Sequence, residues 1–579
     1  TTLATNSVLE GKGGKVGLIG IGFKPKEDWF LGEDRSAFIS GGHNVSGGEA
    51  SPLDMDEVAE AVDDVSPGMD AMVVSSLFSV YNQGHENRVK RLIKERIGLP
   101  VVAGHELTGE LGIMERTVTA VLNARLIPIL DTFLDDVTEA LEHRGVHAPM
   151  MVFKGDGSLM NIFSAKDRPV ETILSGPAAS SMGGRILAGL EDCIVVDVGG
   201  TSTDIAFLDG GFPRIVPEGA SIGQWRTRVR AVDMWTAALG GDSEVRTNPH
   251  GEMWLSSERV IPLCLGAERY PGLLDRMREQ SKARFLVSNA KRRPGLSDSE
   301  TEVLDFVEGN GPSTLEEVKS GVSVVLVDRY VQSLKHKNML VGIGLTPTDV
   351  LRAMDRYREG DRQASLFGVG MAAHILGKSD EELMDQVLNR VASTISGEVI
   401  KKVLMDEGRA LPNCKACGLL LDNITRESSS QLMQLQATFK RKVVGIGAPA
   451  HVYLPMVQDR LGTEVIVPEE HDVGNAVGAV CSPVVETVEL VVFPKDERYT
   501  VFSPFEIPHT FSHVDQAVGA ARNMASKHVE KRAREAGAKD IKVTLNVDEK
   551  RSLGGENVEG EIINRIEVRA KAVGQPSID

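Results

Sequence analysis

The chain is poor in cysteine and in aromatic residues, and both shortages narrow its class. Five thinly scattered cysteines among 579 residues exclude a disulfide framework and make a reducing cytoplasm the expected compartment. No apolar run approaches the length of a membrane span, and no secretory signal opens the chain. Basic residues are also short, 64 Lys and Arg against 82 Asp and Glu, giving a formal net charge of −18. That balance argues against a nucleic-acid backbone as the main partner, because neutralising phosphates takes clustered Lys and Arg. A bound nucleotide stays compatible with it, since backbone N–H groups and a metal ion hold phosphates without net positive charge. Glycine, by contrast, is abundant at 59 residues, and 41% of the chain is hydrophobic while only 5% is aromatic. This composition suits an α/β protein with many tight turns, and the length calls for several domains.

Periodicity along the chain predicts strands near 16–21, 71–78 and 100–102, alternating with helices at 55–65 and 85–97. Strands alternating with helices imply a mostly parallel, covered sheet. A long helix is predicted over 117–143, with Pro128 as a kink or junction. The expected divisions are 1–128, 129–484 and 485–579. Within the second lies an insertion at about 285–339, whose three short helices and strand suggest a winged helix. Its balanced charge offers no basic stripe to DNA, so it reads as a structural insertion. Further helices are expected at 348–358, 365–376 and 381–405. The tail from 485 reads as a separate α+β unit with a helix at 514–536 and β-rich runs at 541–547 and 562–572.

The most informative segment is Ile194-Val-Val-Asp197-Val-Gly199-Gly200-Thr201-Ser202-Thr203-Asp204. An apolar strand delivers Asp197 to its end, where a carboxylate can hold hydrated Mg²⁺. Gly199 and Gly200 allow close backbone approach to phosphate oxygens, and Thr201, Ser202 and Thr203 add hydroxyl donors. Asp204 can orient a water or a metal-bound hydroxyl. The chain then returns as a strand. A Walker loop needs a Lys and a following helix, and a dinucleotide fingerprint also opens a helix. A strand–Asp-Gly-Gly-Thr–strand hairpin instead resembles the phosphate loops of the actin/hexokinase/Hsp70-like (ASKHA) ATPase fold.

Further motifs appear in a set order: Thr1-Thr-Leu-Ala-Thr-Asn6, Glu115-Arg116-Thr117 with Asn123 and Pro128, Asp156-Gly-Ser-Leu-Met160, and Arg168-Pro-Val-Glu171-Thr-Ile-Leu-Ser175-Gly176-Pro177-Ala178. Together they resemble the hydantoinase A / 5-oxoprolinase family, which also includes β-type subunits of acetone carboxylases. The resemblance spans Thr1 to about Pro483 apart from the insertion. It implies an ASKHA fold, to which the residue pattern adds the helical insertion and the C-terminal α+β domain, neither with an assigned counterpart in the family. It also implies ATP and Mg²⁺ as cofactors and ATP-dependent phosphorylation of a cyclic amide of the hydantoin or 5-oxoproline type before ring opening. The alternatives are an ATP-dependent ketone carboxylase subunit and a non-catalytic ATP-binding regulatory member of the superfamily. The implied partners are a small cyclic amide or ketone and a hydantoinase B-type subunit, with oligomerisation open.

On this resemblance Asp197 is assigned to Mg²⁺, Gly199 to Thr203 to phosphate, and Asp204 and Asp233 to metal or water. Gly445, Gly447, Ala448 and Pro449, opening a helix, fit the place of the nucleotide base, or else form a tight strand-to-helix turn without a ligand. The run 468–479, with Gly474 and Asn475, resembles the helix closing the same pocket. Two departures stand out. The family opens with a first Asp-Gly-Gly-Thr hairpin and Thr1 already lies beyond it, so the chain is expected to be a fragment or an incomplete gene product. Trp235 replaces the histidine of the segment Asp233-Met-Trp235-Thr-Ala-Ala-Leu-Gly240-Gly241-Asp242.

Outside the resemblance, Cys414 and Cys417 have metal or redox spacing but lack a second pair, and read as a packed or surface pair. His43, in a glycine turn, reads as structural. Thr1 has the residue type of an N-terminal nucleophile but falls within a motif internal to the family. The Arg226–Arg230 cluster meets a phosphate or carboxylate, or is solvated.

Overall fold

The computed structural model describes residues 3–248, 250–289, 295–409, 414–425, 434–495, 498–553 and 561–577. They divide into two compact units: unit 1 holds 1–186, 212–233 and 475–579, and unit 2 holds 187–211 and 234–474. This differs from the three-part division expected from the sequence. Residue 128 lies inside one continuous helix, Ile113–His143, and the tail shares a unit with the N-terminal sheet. Thr1 and Thr2 lie outside the described residues.

Unit 1 begins with a parallel sheet in the order Arg35–Ile39, Val16–Ile21, Ala71–Ser76, Val101–Ala103. The strands Val16–Ile21 and Ala71–Ser76 are buried at every position, as near-continuous apolar strands of a doubly covered sheet should be. Helices Met55–Val65, Gly84–Arg96 and Ile113–His143 cover it. The last is long and apolar enough to span a membrane by length and composition, which corrects the expectation of no such run. Its apolar window is 61% buried in the protein, however, and its Arg116 is enclosed there with a guanidinium N–H donated to the Ser76 carbonyl at 2.9 Å.

The tail adds an antiparallel sheet in which Val484–Lys495 pairs with Arg498–Phe502 and Glu561–Pro576, and the latter with Ala538–Leu553. Helix Val514–Glu535 buries Ala517, Ala521, Ala525, Val529 and Ala533, a stripe at helical spacing whose small side chains permit close approach to the sheet. A buried ionic network ties the tail to the rest of unit 1. Glu486 accepts Arg168 at 3.0 Å and Arg532 at 2.9 Å, and Lys154 meets Glu171 at 3.2 Å. Although burial opposes ionisation, Lys154, Arg532 and Arg168 together hold Glu486 well below the usual carboxylate range.

A depressed folded-state pKa contributes stability that is present above the ordinary value near 4.5 and is lost as pH falls below it. Glu486→Gln should therefore cost roughly 3 kcal/mol at neutral pH and flatten the acid limb of the stability–pH curve. Chemical denaturation of both proteins from pH 7 to pH 3 checks this; parallel curves would refute it.

Unit 2 is built on a sheet ordered Met234–Ala237, Thr203–Asp209, Cys193–Val198, Val443–Ile446, Val465–Ile466. The first three strands form an antiparallel meander and the last two run parallel to Cys193–Val198. In order of appearance this is the 3-2-1-4-5 arrangement of an ASKHA lobe. Helices Pro347–Ala353, Arg362–Leu376 and Asp380–Asp406 complete its core. The helix expected at 348–358 stops early because Asp355 adopts a left-handed backbone (φ 61°), which a right-handed helix cannot absorb.

The insertion contains helices Asp298–Asn310, Leu315–Gly321 and Val327–His336, the first two opened by reciprocal capping boxes, Ser297 with Glu300 and Thr314 with Glu317. It has its own core around Val303, Leu304, Val318 and Leu334.

Candidate functional site

The hairpin forms as its residue types demand. Cys193–Val198 supplies five buried positions and one half-exposed one, Asp197, and the chain turns through Gly199–Ser202 into Thr203–Asp209. The turn is closed by the Gly199 N–H donating to the Ser202 carbonyl at 2.9 Å. Asp197 and Asp204 are direct cross-strand partners, and Asp204 is in turn opposite Thr236. The Thr236 hydroxyl donates to Asp204 at 2.6 Å. Two carboxylates directly opposite each other are destabilising unless a cation joins them. Burial first, and the Asp197 charge after it, raise the Asp204 pKa against the pull of its Thr236 bond.

A second turn, 239–243, clamps the first. The Gly241 N–H donates to the Gly199 carbonyl at 3.2 Å and the Asp242 N–H to the Gly200 carbonyl at 2.7 Å. Gly240 has no room for a side chain, since a Cβ there would lie 2.4 Å from the Gly200 oxygen. The Thr348 hydroxyl and N–H both donate to the Gly241 carbonyl, at 2.9 and 3.0 Å. Thr203 is fully buried and its hydroxyl donates to the Leu239 carbonyl at 2.9 Å, so that hydroxyl serves the fold. Gly200 and Thr201 are exposed, and Gly199 and Ser202 are half-exposed.

The late glycine motif meets the hairpin. Strand Val443–Ile446 runs beside Cys193–Val198 with Ile446 paired to Asp197. Gly447 follows with φ 95°, and a Cβ on it would lie 2.2 Å from the Val198 oxygen and 2.7 Å from the Asp197 carboxylate. Two segments some 250 positions apart in the sequence thus meet at the C-terminal ends of two adjacent inner strands. Gly445 is buried in the strand and makes room for Leu454. Ala448 and Pro449 are not buried and precede a helix of only four residues, Ala450–Tyr453.

Asp233 lies in unit 1, its N–H donating to the Arg214 carbonyl at 2.7 Å. Trp235 packs against the unit 2 core, and its indole N–H donates to Glu398 at 2.8 Å. The position of the family histidine therefore serves packing here. The expected closing helix divides into a turn at His471–Val473 and helix Gly474–Cys481. Asn475 donates to the Gly176 carbonyl at 2.9 Å, which ties the Ser175-Gly-Pro-Ala motif to this helix within unit 1.

Asp242 carries no sequence-derived role, yet it borders Gly200 at 3.2 Å from where that residue's Cβ would be. Its signal in the sequence is an acid directly after Gly240-Gly241. Burial, reinforced by Asp349 and opposed by Arg259, pushes its pKa up to about 6. A raised carboxylate contributes stability below its unfolded pKa and loses it as pH rises through the folded value. Thermal stability should therefore fall between pH 4 and pH 6 by a component that Asp242→Asn removes, and the difference between the two melting profiles measures it. Identical profiles would place Asp242 in solvent.

Among the described residues no three His, Cys, Asp or Glu side chains converge as a metal cage. The opposed pair Asp197 and Asp204 fits Mg²⁺, which keeps several waters and needs only one or two carboxylates beside a phosphate. Cys414 and Cys417 are free thiols 3.1 Å apart at the start of helix Lys415–Ile424. His43 is buried against His85, ring centroids 4.4 Å apart, and burial lowers its pKa to about 4.

A glycine-turn hairpin at the centre of a 3-2-1-4-5 sheet matches the topology of an ASKHA-class lobe. Residues 1–97 match the hydantoinase/oxoprolinase N-terminal region and residues 116–259 match hydantoinase/oxoprolinase. It is 26% identical over 451 residues to the caprolactamase subunit alpha of Pseudomonas jessenii, covering 71% of this chain and 62% of that one. It is 31% identical over 216 residues to the acetophenone carboxylase gamma subunit of Aromatoleum aromaticum, covering 36% and 29%. The chain thus spans less than two thirds of the length of these relatives. The crystal structure of the ATP-dependent caprolactamase from Pseudomonas jessenii shares its fold, with a TM-score of 0.62 at 18% identity over 100% of this chain and 78% of that one.

Proposed function

We propose that the protein is an ATP-dependent hydrolase that activates a cyclic amide by phosphorylating its carbonyl oxygen before the ring opens. The carrying observation is the meeting of Asp197, the Gly199–Ser202 turn and Gly447 at the C-terminal ends of two adjacent central strands. The named activity of the caprolactamase relative supports the substrate class, caprolactam being a cyclic amide.

In this reading the exposed turn at Gly200 and Thr201 presents backbone N–H groups to the β- and γ-phosphates, with Ser202 adding a hydroxyl. Asp197 holds the cation and Asp204 orients its water. Bound Mg²⁺ would supply charge neutralisation across the phosphate oxygens. Gly447, Ala448 and Pro449 border the nucleotide from the neighbouring strand. The amide oxygen takes the γ-phosphoryl group and ADP leaves. Water then adds to the carbonyl carbon, and the ring nitrogen takes a proton and leaves, giving an acyl phosphate; a second water adds to that carbon and phosphate departs with the former carbonyl oxygen. Resonance makes the free amide a poor electrophile, and O-phosphorylation removes that protection. The protein supplies mainly position and electrostatic stabilisation.

We place the reaction in the cytoplasm, in keeping with five free cysteines, and assign a hydantoinase B-type subunit as partner because both relatives are named as subunits. The same site would also serve a ketone carboxylase, the reading favoured by the acetophenone carboxylase relative.

ADP formation with Mg-ATP, tested against five- to seven-membered cyclic amides and against aryl and alkyl ketones with bicarbonate, separates the two. Stimulation by an amide supports the hydrolase, and stimulation only by ketone with bicarbonate replaces it. ATP binding without stimulation by either would reduce the protein to a regulatory ATP-binding member.

A further inference from the structure

Unit 1 encloses a cavity of about 470 Å³, a size suited to a small molecule. One wall is the tail sheet. Arg569 and Lys571 are two residues apart on strand Glu561–Pro576, so they share a face, and their cross-strand partners Asn546 and Thr544 line the same cavity. The facing wall includes Arg228 and Arg230, from the arginine cluster that the hairpin chemistry leaves unused.

Six carboxylates and six cations line this space, and cations from outside the lining, Lys90 and Arg168, take part of that negative charge. Each lining carboxylate already has a cation. Glu110 takes Arg228 at 3.4 Å, Glu489 takes Arg569 at 2.6 Å, and Glu106 takes Lys90 at 2.5 Å. Asp156 and Glu171 share Lys154, and Glu486 takes Arg168 and Arg532. Arg230 and Lys571 are left over, with no carboxylate within ion-pair distance among the described residues. Lys571 instead sets its ammonium 3.3 Å from the ring centroid of Phe212. Burial, and after it the Arg230 charge, lower the Lys571 pKa, with only Asp156 opposing. Two cations beside one half-enclosed space are costly without an anion, and a guanidinium with an ammonium is a common grip on an oxyanion.

We propose that this cavity is a binding site for a small molecule carrying a carboxylate or phosphate group, held by Arg230 and Lys571 with Asn546 as a neutral donor. It belongs to unit 1, whereas the phosphate hairpin belongs to unit 2, so it is a second site beyond the proposed ATP chemistry.

The test is calorimetric titration of the full chain with inorganic phosphate and, separately, with glutarate, in excess non-hydrolysable ATP analogue. Amide exchange in strand Glu561–Pro576 is followed alongside. At least one probe should bind at millimolar concentration or tighter and slow exchange in that strand. The double variant Arg230→Gln, Lys571→Met should weaken binding by about tenfold or more, near the strength of one charge-assisted hydrogen bond. Phosphate binding alone assigns a phosphorylated ligand, glutarate alone a carboxylate, and binding of both the shared oxyanion chemistry. Absence of binding by both probes, or equal affinity in the double variant, overturns the proposal. The variant removes mutual repulsion, so its melting temperature should not fall. Asp197→Ala should leave this binding unchanged, which separates failure here from failure of the ATP reading.

Discussion

Asp197→Ala is expected to lower ATP cleavage by on the order of 10²–10³-fold, a loss typical of removing one preorganised electrostatic group from a reacting centre. The melting temperature should hold or rise. Asp197 faces Asp204 across the hairpin, and removing one of two opposed carboxylates relieves repulsion when no cation is bound. A purely structural carboxylate would behave the other way, with stability falling and the rate following only the folded fraction. Asp204→Asn should lose less, because Thr236 can still donate to the oxygen that remains and the proposed part of Asp204 is to orient the cation's water. Single-turnover ADP formation beside thermal unfolding reads both quantities. A variant with wild-type turnover would remove Asp197 from the chemistry.

The second large effect is at Gly447. Alanine there meets two penalties with different signatures. The backbone at φ 95° is strained for any residue with a Cβ, by roughly 1–2 kcal/mol. In addition the new methyl would sit 2.2 Å from the Val198 oxygen, so the junction of the two motifs must move apart. A shift of about 1 Å in a positioning element costs about a hundredfold in rate. Gly189→Ala isolates the first penalty, since Gly189 has a similar left-handed backbone and open space around its Cβ direction. We expect Gly189→Ala to lose some stability and almost no activity, and Gly447→Ala to lose both. Equal kinetic effects in the two variants would show that the Gly447 contact has no role in holding the hairpin.

Much of the fold was legible because the relevant signals are local. The runs 16–21 and 193–198 are unbroken apolar strands, and helix Met55–Val65 keeps its predicted ends because Asp54 caps it and Val58, Val62 and Val65 form its buried face. The hairpin was legible for the same reason: strand, acid, glycines, hydroxyls and returning strand are contiguous. The family motifs were legible as a pattern, yet several of them hold the structure together. Arg116 and Asn123 are buried struts, the latter accepting the Val170 N–H, and Arg168 and Glu171 belong to the ionic network around Glu486. Their spacing records packing as strongly as chemistry.

The remainder depended on long-range contact. Nothing local places Ile446 beside Asp197 or sets Gly240 against Gly200, and the cost of burying Asp242 appears only when the two turns meet. Likewise the tail looked separate because its helix and strands are complete in themselves. Its docking within unit 1 rests on Glu486, which also holds Arg532 of the tail, meeting Arg168 and Lys154, more than 300 positions away in the sequence.

The most direct measurement follows the amide oxygen itself. A cyclic amide that stimulates ADP formation is prepared with heavy oxygen at its carbonyl and turned over in ordinary water. If the carbonyl oxygen accepts the phosphoryl group, the label appears in inorganic phosphate, one labelled oxygen for each ring opened. If the label stays in the ring-opened acid while phosphate takes its oxygen from water, phosphate does not depart with the former carbonyl oxygen, and the proposed chemistry is wrong.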